Sequence, residues 1–120
     1  MVEQEHHLKL YAQDFQPIQF KEGVKFDSDK PRFDLITPEF LEDISKVLTY
    51  GATKYEPYNW AKGMNWSRVF GAMMRHMWAW WKGDDTDPET GFSHLAHASC
   101  CLMFLISYEH RKLGKDDRFK

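Results

Sequence analysis

A chain of 120 residues, 42% hydrophobic and 16% aromatic, can bury one modest core and is too apolar to be disordered throughout. Its net charge of −2 excludes a general nucleic-acid binder, which needs a basic excess against backbone phosphates, so DNA is not an expected partner. The adjacent Cys100 and Cys101 make a poor disulfide, Met1–Leu10 has no apolar signal region and Ala96–Ile106 is too short to span a bilayer. The expected setting is the cytoplasm.

The first 22 residues are read as a mobile N-terminal segment, followed by an extended arm punctuated by Gly23 and Pro31. Thr37-Pro38 is a helix-start signal, a capping hydroxyl followed by proline at the first helical position. Apolar residues then recur at three- and four-residue steps from Phe40 through Val47 to Tyr55, predicting a helix that Pro57 stops.

A second helix is expected over Arg68–Lys82, capped by Ser67 and ended by Gly83. Its methionines and tryptophans make it apolar nearly all round, as for a helix central in a bundle or shared between subunits. A domain this small has little interior to offer, so a homo-oligomer is the expected partner state. An acidic connection precedes a third helix, from His94 to about Leu113, capped by Ser93 and closed by Gly114. The predicted class is all-α: a compact three- to four-helix bundle with an extended N-terminal arm. Its domain spans residues 23–114, and residues 115–120 form a charged tail expected to fray.

Arg75 and His76 interrupt the most apolar helix. A buried guanidinium needs an anion, either one of the chain's own carboxylates or a ligand phosphate, and arginine's planar fork suits the latter. Arg68 lies two turns earlier on the same face, so the pair could hold a di- or triphosphate. His94 and His97 sit three apart on the third helix, with Cys101 following on that face. They could serve zinc, a phosphate or base edge, or each other within the bundle. Asp85, Asp87 and Glu89 could bring Mg2+ or Mn2+ to a nucleotide, although Asp87-Pro88 is also an ordinary turn signal. Lys54, Tyr55, Asn59 and Trp60 combine a cation, an amide and aromatic faces of the kind that meet phosphates and bases. No catalytic nucleophile is assigned.

An ordered set of residues joins these groups. It runs Gly23-x-Lys25-x-Asp27-x-x-Lys30-Pro31-Arg32-x-Asp34-Leu35-Ile36, then Val47-Leu48-Thr49-x-Gly51-Ala52-x-Lys54-Tyr55, Asn59-Trp60, Ser67-Arg68 and Arg75-His76. It closes with Gly83-x-Asp85-x-Asp87-Pro88-Glu89-Thr90-Gly91-x-x-His94-Leu95-Ala96-His97-Ala98. This pattern resembles the N-terminal domain of the phage dATP/dGTP diphosphohydrolases, a group linked to the MazG-type all-α nucleotide pyrophosphatases. The resemblance implies a phage or prophage origin and a helical domain that handles purine nucleotides. MazG-type enzymes hold magnesium with Glu-Glu-x-x-Glu on one helix and Glu-x-x-Asp on the next. Here Glu39 and Glu42 supply part of the first motif, while methionine and tryptophan fill the second helix.

Three functional expectations follow. The first is capture of a purine nucleotide or nucleotide-derived signal without turnover, a sponge against host defence. Lys54, Arg68, Arg75, His76 and His94 would then sit on phosphates and Tyr55, Asn59 and Trp60 on the base, with His97 a further ligand-binding residue. The second is a Mg2+- or Mn2+-dependent diphosphohydrolase acting on dATP or dGTP, with the metal on Asp85, Asp87 and Glu89. The third is an oligomeric scaffold without a ligand.

Overall fold

The computed structural model describes residues 22–120. The segment expected to be mobile, residues 1–22, therefore lies almost wholly outside the described residues. The chain divides into two units, residues 1–35 and 36–120. The described part of the first unit has no regular helix or strand beyond one short 3-10 turn, Phe33–Leu35. A tight turn donates the Lys30 N–H to the Asp27 carbonyl at 3.0 Å, and the Arg32 guanidinium pairs with Asp34 at 2.7 Å.

The second unit is built from three helices, α1 (Pro38–Lys54), α2 (Trp66–Trp81) and α3 (His94–Arg111), with a 3-10 turn at Asn59–Lys62. Among the described residues there is no β-sheet, and two isolated bridges, Asn65 with Lys115 and Thr86 with Ser93, are the nearest approach to one. The helix-dominated bundle agrees with the class expected from the sequence. Thr37 caps α1 as predicted, its Oγ1 accepting the Phe40 N–H at 3.4 Å with Pro38 in the first turn. Ser93 caps α3 likewise, accepting from the Leu95 N–H at 3.1 Å.

Helix α2 begins differently. The helix starts at Trp66 after Asn65, which makes no side-chain cap, and Ser67 is already inside the first turn. Its cap comes from far along the chain. The Asp117 carboxylate accepts the Ser67 N–H at 2.9 Å and the Ser67 hydroxyl at 2.6 Å. Next to it, the Trp66 N–H donates to the Lys115 carbonyl at 3.0 Å and the Trp66 indole N–H to the Leu113 carbonyl at 2.9 Å. The Arg118 guanidinium lies 5.1 Å from the Trp66 ring centre. The tail read as frayed is thus held against the start of α2, its carboxylate meeting the amide end of the helix where a negative charge is stabilising. Two glycines permit the approach: a Cβ on Gly114 would sit 2.3 Å from the Met64 carbonyl oxygen, and one on Gly63 would sit 2.7 Å from the Gly114 nitrogen.

Helix α3 is the hub. It packs on both α2 and α1, and among the described residues every buried one except Val69 belongs to it: His94, Ala96, Ala98, Cys100 and Tyr108. Three of these are small, which lets neighbouring helices approach closely. At the C-terminal end of α3 the Trp60 ring stacks on Phe104, centres 4.9 Å apart and planes 13° apart. The Tyr108 hydroxyl donates to the Trp60 carbonyl at 2.7 Å, and Tyr108 has no solvent exposure. Burying such a ring contributes roughly 2–3 kcal/mol.

The apolar residues of α2 are not central in the bundle of this single chain. Met74, Met77, Trp78 and Trp81 are all exposed, Trp81 at 70%. With Ala98 and Leu102 of α3 they line an open apolar hollow of about 510 Å³.

Candidate functional site

The connection between α2 and α3 folds around Asp87. Its backbone N–H donates to the Phe92 carbonyl at 2.8 Å and its carbonyl accepts the Gly91 N–H at 2.7 Å, closing a tight loop. The Asp87 side chain then turns inward. One oxygen, Oδ1, accepts the N–H groups of Glu89 at 2.8 Å and Thr90 at 3.1 Å. The other, Oδ2, faces Nδ1 of His76 at 4.0 Å.

Three imidazoles meet there. Nδ1 of His76 on α2 faces Nδ1 of His94 on α3 at 2.9 Å. The His97 ring, one turn further along α3, stacks on His76 with centres 4.6 Å apart and planes 8° apart. Nε2 of His97 shares a proton with the Thr90 hydroxyl at 2.7 Å. His94 is 6% exposed, while the His76 and Asp87 side chains are 21% and 18% exposed, so one side of the group opens to solvent.

Burial pushes the His76 imidazole below its ordinary value, and the neighbouring His97 adds to the shift. Burial does the same to His97. Both rings are therefore neutral at neutral pH, able to accept a proton or a cation through a lone pair. Burial works to raise the Asp87 carboxyl, but the amides of Thr90 and Glu89 and the nearby imidazoles hold it below the usual carboxylate value. Asp87 is thus an anion beside the neutral His76 and His97 rings.

A second polar group joins the same turn. The Glu89 carboxylate accepts the Lys54 ammonium at 2.9 Å and the Tyr50 hydroxyl in a short bond. Tyr50 and Lys54 are one turn apart on α1, so both reach the same point. The bonds from Tyr50 and Lys54 hold Glu89 below its ordinary value, and the bond to Glu89 raises Lys54.

Of the sequence candidates, His76, His94, His97 and Asp87 stand together, with Lys54 and Glu89 adjoining through the turn. The three-carboxylate metal set does not converge. Glu89 is taken up by Tyr50 and Lys54, and Asp85 is exposed and meets this region through its carbonyl, which accepts the His94 N–H at 3.0 Å. Among the described residues, the acidic group that joins His76 and His94 is Asp87, and these three offer ligand atoms within 4.8 Å of one another. Cys101 is not in that group. Burial raises its thiol, and Cys100 is pushed up to about 12, so neither is a reactive thiolate.

Trp60 is spent on Phe104 and Tyr108, so its ring is core and not a platform for a base. Tyr55 is exposed, with the Lys54 ammonium 5.4 Å from its ring centre, and Asn59 begins the 3-10 turn. Arg75 is not buried, contrary to its expected place inside the bundle. It is exposed on α2 and lines, with Gly71, Met74, Trp78, Ala79 and Lys82, a separate hollow of about 370 Å³. Arg68 is exposed as well. Neither arginine has a carboxylate within ion-pairing distance among the described residues. Sequence reading missed Tyr50, whose signal was its four-residue spacing from Lys54, and Thr90, which carried none.

This arrangement occupies residues 50–97, inside the segment on which known proteins agree. The family described as "dATP/dGTP diphosphohydrolase, N-terminal" matches residues 21–118. The chain belongs to that family. A curated relative from Salmonella phage PMBT28, named "dATP/dGTP diphosphohydrolase", is 40% identical over 96 residues, covering 80% of this chain and 33% of its own length. The chain thus spans about a third of the curated relative that it matches. No solved structure matches it significantly.

Proposed function

We propose that this domain acts on purine deoxynucleoside triphosphates as part of a diphosphohydrolase, at the polar group formed by His76, Asp87, His94, His97 and the Lys54–Glu89 pair. The observation that carries the proposal is this convergence. Two helices and their connection bring three imidazoles and one carboxylate together, part-exposed at His76 and Asp87, with an ammonium on the adjoining turn. The name of the phage relative favours hydrolysis over capture, which the sequence alone had put first.

Diphosphohydrolysis joins a water oxygen to the α-phosphorus, breaks the bond to the bridging oxygen and releases pyrophosphate and a monophosphate. The side chains here suit two parts of that reaction. A neutral imidazole whose pKa is held down by burial takes a proton from the attacking water. His97, oriented by Thr90, is the residue assigned to that role. Lys54 meets phosphate oxygens, exchanging some of its bond with Glu89 for them. A magnesium ion held by Asp85, Asp87 and Glu89 does not fit the carboxylate positions observed.

The test is incubation of the chain with dATP or dGTP, with and without Mg2+ or Mn2+, followed by separation of the products. Monophosphate and pyrophosphate in equal amounts are expected. Tight retention of an intact nucleotide would return the capture reading to first place.

We infer in addition that the chain self-associates through the exposed methionines and tryptophans of α2. Contiguous apolar surface of this kind is uncommon on monomeric proteins. No helix of the described residues is long and apolar enough to cross a membrane. The two free cysteines support work in a reducing cytosol.

A further inference from the structure

We propose that His76, Asp87 and His94 form a binding site for one first-row transition-metal ion, zinc being the best match. The proposal goes beyond the hydrolytic reading and does not depend on it, since such an ion can organise the fold whether or not a nucleotide is cleaved.

The distances come first. Ligands about 2.1 Å from one ion at a tetrahedral angle lie about 3.4 Å apart. Nδ1 of His76 is 2.9 Å from Nδ1 of His94 and 4.0 Å from Oδ2 of Asp87. These two values bracket the required spacing, and the ligand atoms of all three residues lie within 4.8 Å of one another.

The supporting shell is the second observation, and it is independent of the spacing. Asp87 has one oxygen fixed by two backbone amides, from Glu89 and Thr90, and the other turned toward the imidazoles. That is how a monodentate carboxylate ligand is held in place. His97 stacks flat on His76 and is itself anchored to the Thr90 hydroxyl, which fixes the plane of the His76 ring.

Third, His94 is buried to more than nine-tenths and points its Nδ1 at another imidazole. In this contact one Nδ1 donates to the other; with both rings carrying their proton on Nε2 instead, two lone pairs face each other across 2.9 Å. A metal ion satisfies both lone pairs at once. Two nitrogens and one oxygen are a donor set for zinc, cobalt or manganese and a poor one for magnesium, which requires oxygen and water. The exposed side, between His76 and Asp87, leaves room for water or a phosphate oxygen as a further ligand.

The experiment uses the full, untagged chain, stripped with EDTA and titrated with zinc or cobalt. Metal content after gel filtration, the cobalt visible spectrum and competition by magnesium are the readouts. One equivalent per chain is expected, unaffected by a hundredfold excess of magnesium. Asp87→Asn weakens binding at least about tenfold, and His76→Gln abolishes stoichiometric binding while circular dichroism shows the helices intact. Glu89→Gln, Cys101→Ser and the double substitution His6→Gln/His7→Gln retain the ion. Uptake below one-tenth of an equivalent, or unchanged binding in folded His76→Gln, overturns the proposal. Loss of the ion in Glu89→Gln or in the His6/His7 variant places the metal elsewhere and overturns it too. If metal binding fails while nucleotides are still cleaved, the hydrolytic reading survives alone. If the ion binds and no nucleotide is cleaved, the metal site survives alone.

Discussion

The two sides of helix α2 reverse the usual relation between side-chain type and burial. Facing α3 it presents Val69, 4% exposed, and lends His76 to a sheltered polar group. Facing solvent it presents Phe70, Trp78 and Trp81, each more than half exposed. The small residues of α3 offer an explanation. Ala98 borders α2, while Cys100 meets α1, its thiol donating to the Ile44 carbonyl at 3.6 Å, so α3 meets both neighbours through small side chains and leaves little volume between them for indole rings. The large side chains are left on the outside, where their burial waits on another surface. Apolar content therefore measures what a helix can bury, and the partner's side-chain size decides which part of it is buried within the chain.

The strongest way to break this comparison is to charge the narrow side. Val69→Asp places a carboxylate at a buried position with no designed partner, and is expected to cost about 4 kcal/mol. Urea denaturation followed by far-ultraviolet circular dichroism measures it. If the variant is as stable as the parent, the α2–α3 seam is wetter than its burial indicates. A smaller change sharpens the point at the far end of α3. Tyr108→Phe keeps the ring and removes the hydroxyl bonded to the Trp60 carbonyl, with an expected loss of about 1–2 kcal/mol. The same unfolding curves report it, and the Trp60 fluorescence environment should change with it.

The helices were legible because their signals are local. Thr37-Pro38 and Ser93 cap where the sequence placed them, and the apolar steps of α1 end at Lys54, close to the expected stop. The start of α2 was not legible, since its carboxylate cap is Asp117, fifty residues from Ser67. The site was readable in its residue types and unreadable in its pairings. His94 and His97 have chelating spacing along one helix, yet His94 meets His76 across helices and His97 stacks beside them. Trp60 lies in a loop that resembles a base-binding platform, but Phe104 and Tyr108 reach it from a helix more than forty residues away. Arg75 was expected to be buried because its neighbours are apolar, and those neighbours are themselves exposed.

The cap on α2 supplies a pH-dependent test of smaller size. Bonds from the Ser67 hydroxyl and amide hold the Asp117 carboxyl below its ordinary value of 3.8. A group with a lowered folded-state pKa contributes stability that is present above the unfolded value and is lost as pH falls through the folded one. Asp117→Asn should therefore lower the melting temperature at pH 7, by less than Tyr108→Phe does. The gap between variant and parent should close as the pH drops below 3.8. A gap that stays constant with pH would mean that the carboxylate charge adds nothing at this helix end.

The smallest expected effect on folding comes from the opposite side of α2, and it is the most informative about the comparison. Trp78 is 59% exposed, so Trp78→Glu removes little that the single chain buries and should change folding stability by no more than about 0.5 kcal/mol. The same substitution sets a charge in the middle of the proposed self-association surface. Light scattering coupled to gel filtration should show the parent as an oligomer and the variant as a monomer at the same concentration. A monomeric parent would leave the tryptophans to a different partner. A variant that loses stability as well as assembly would mean that folding and association are one process, with the outer face of α2 as much a part of the core as Val69.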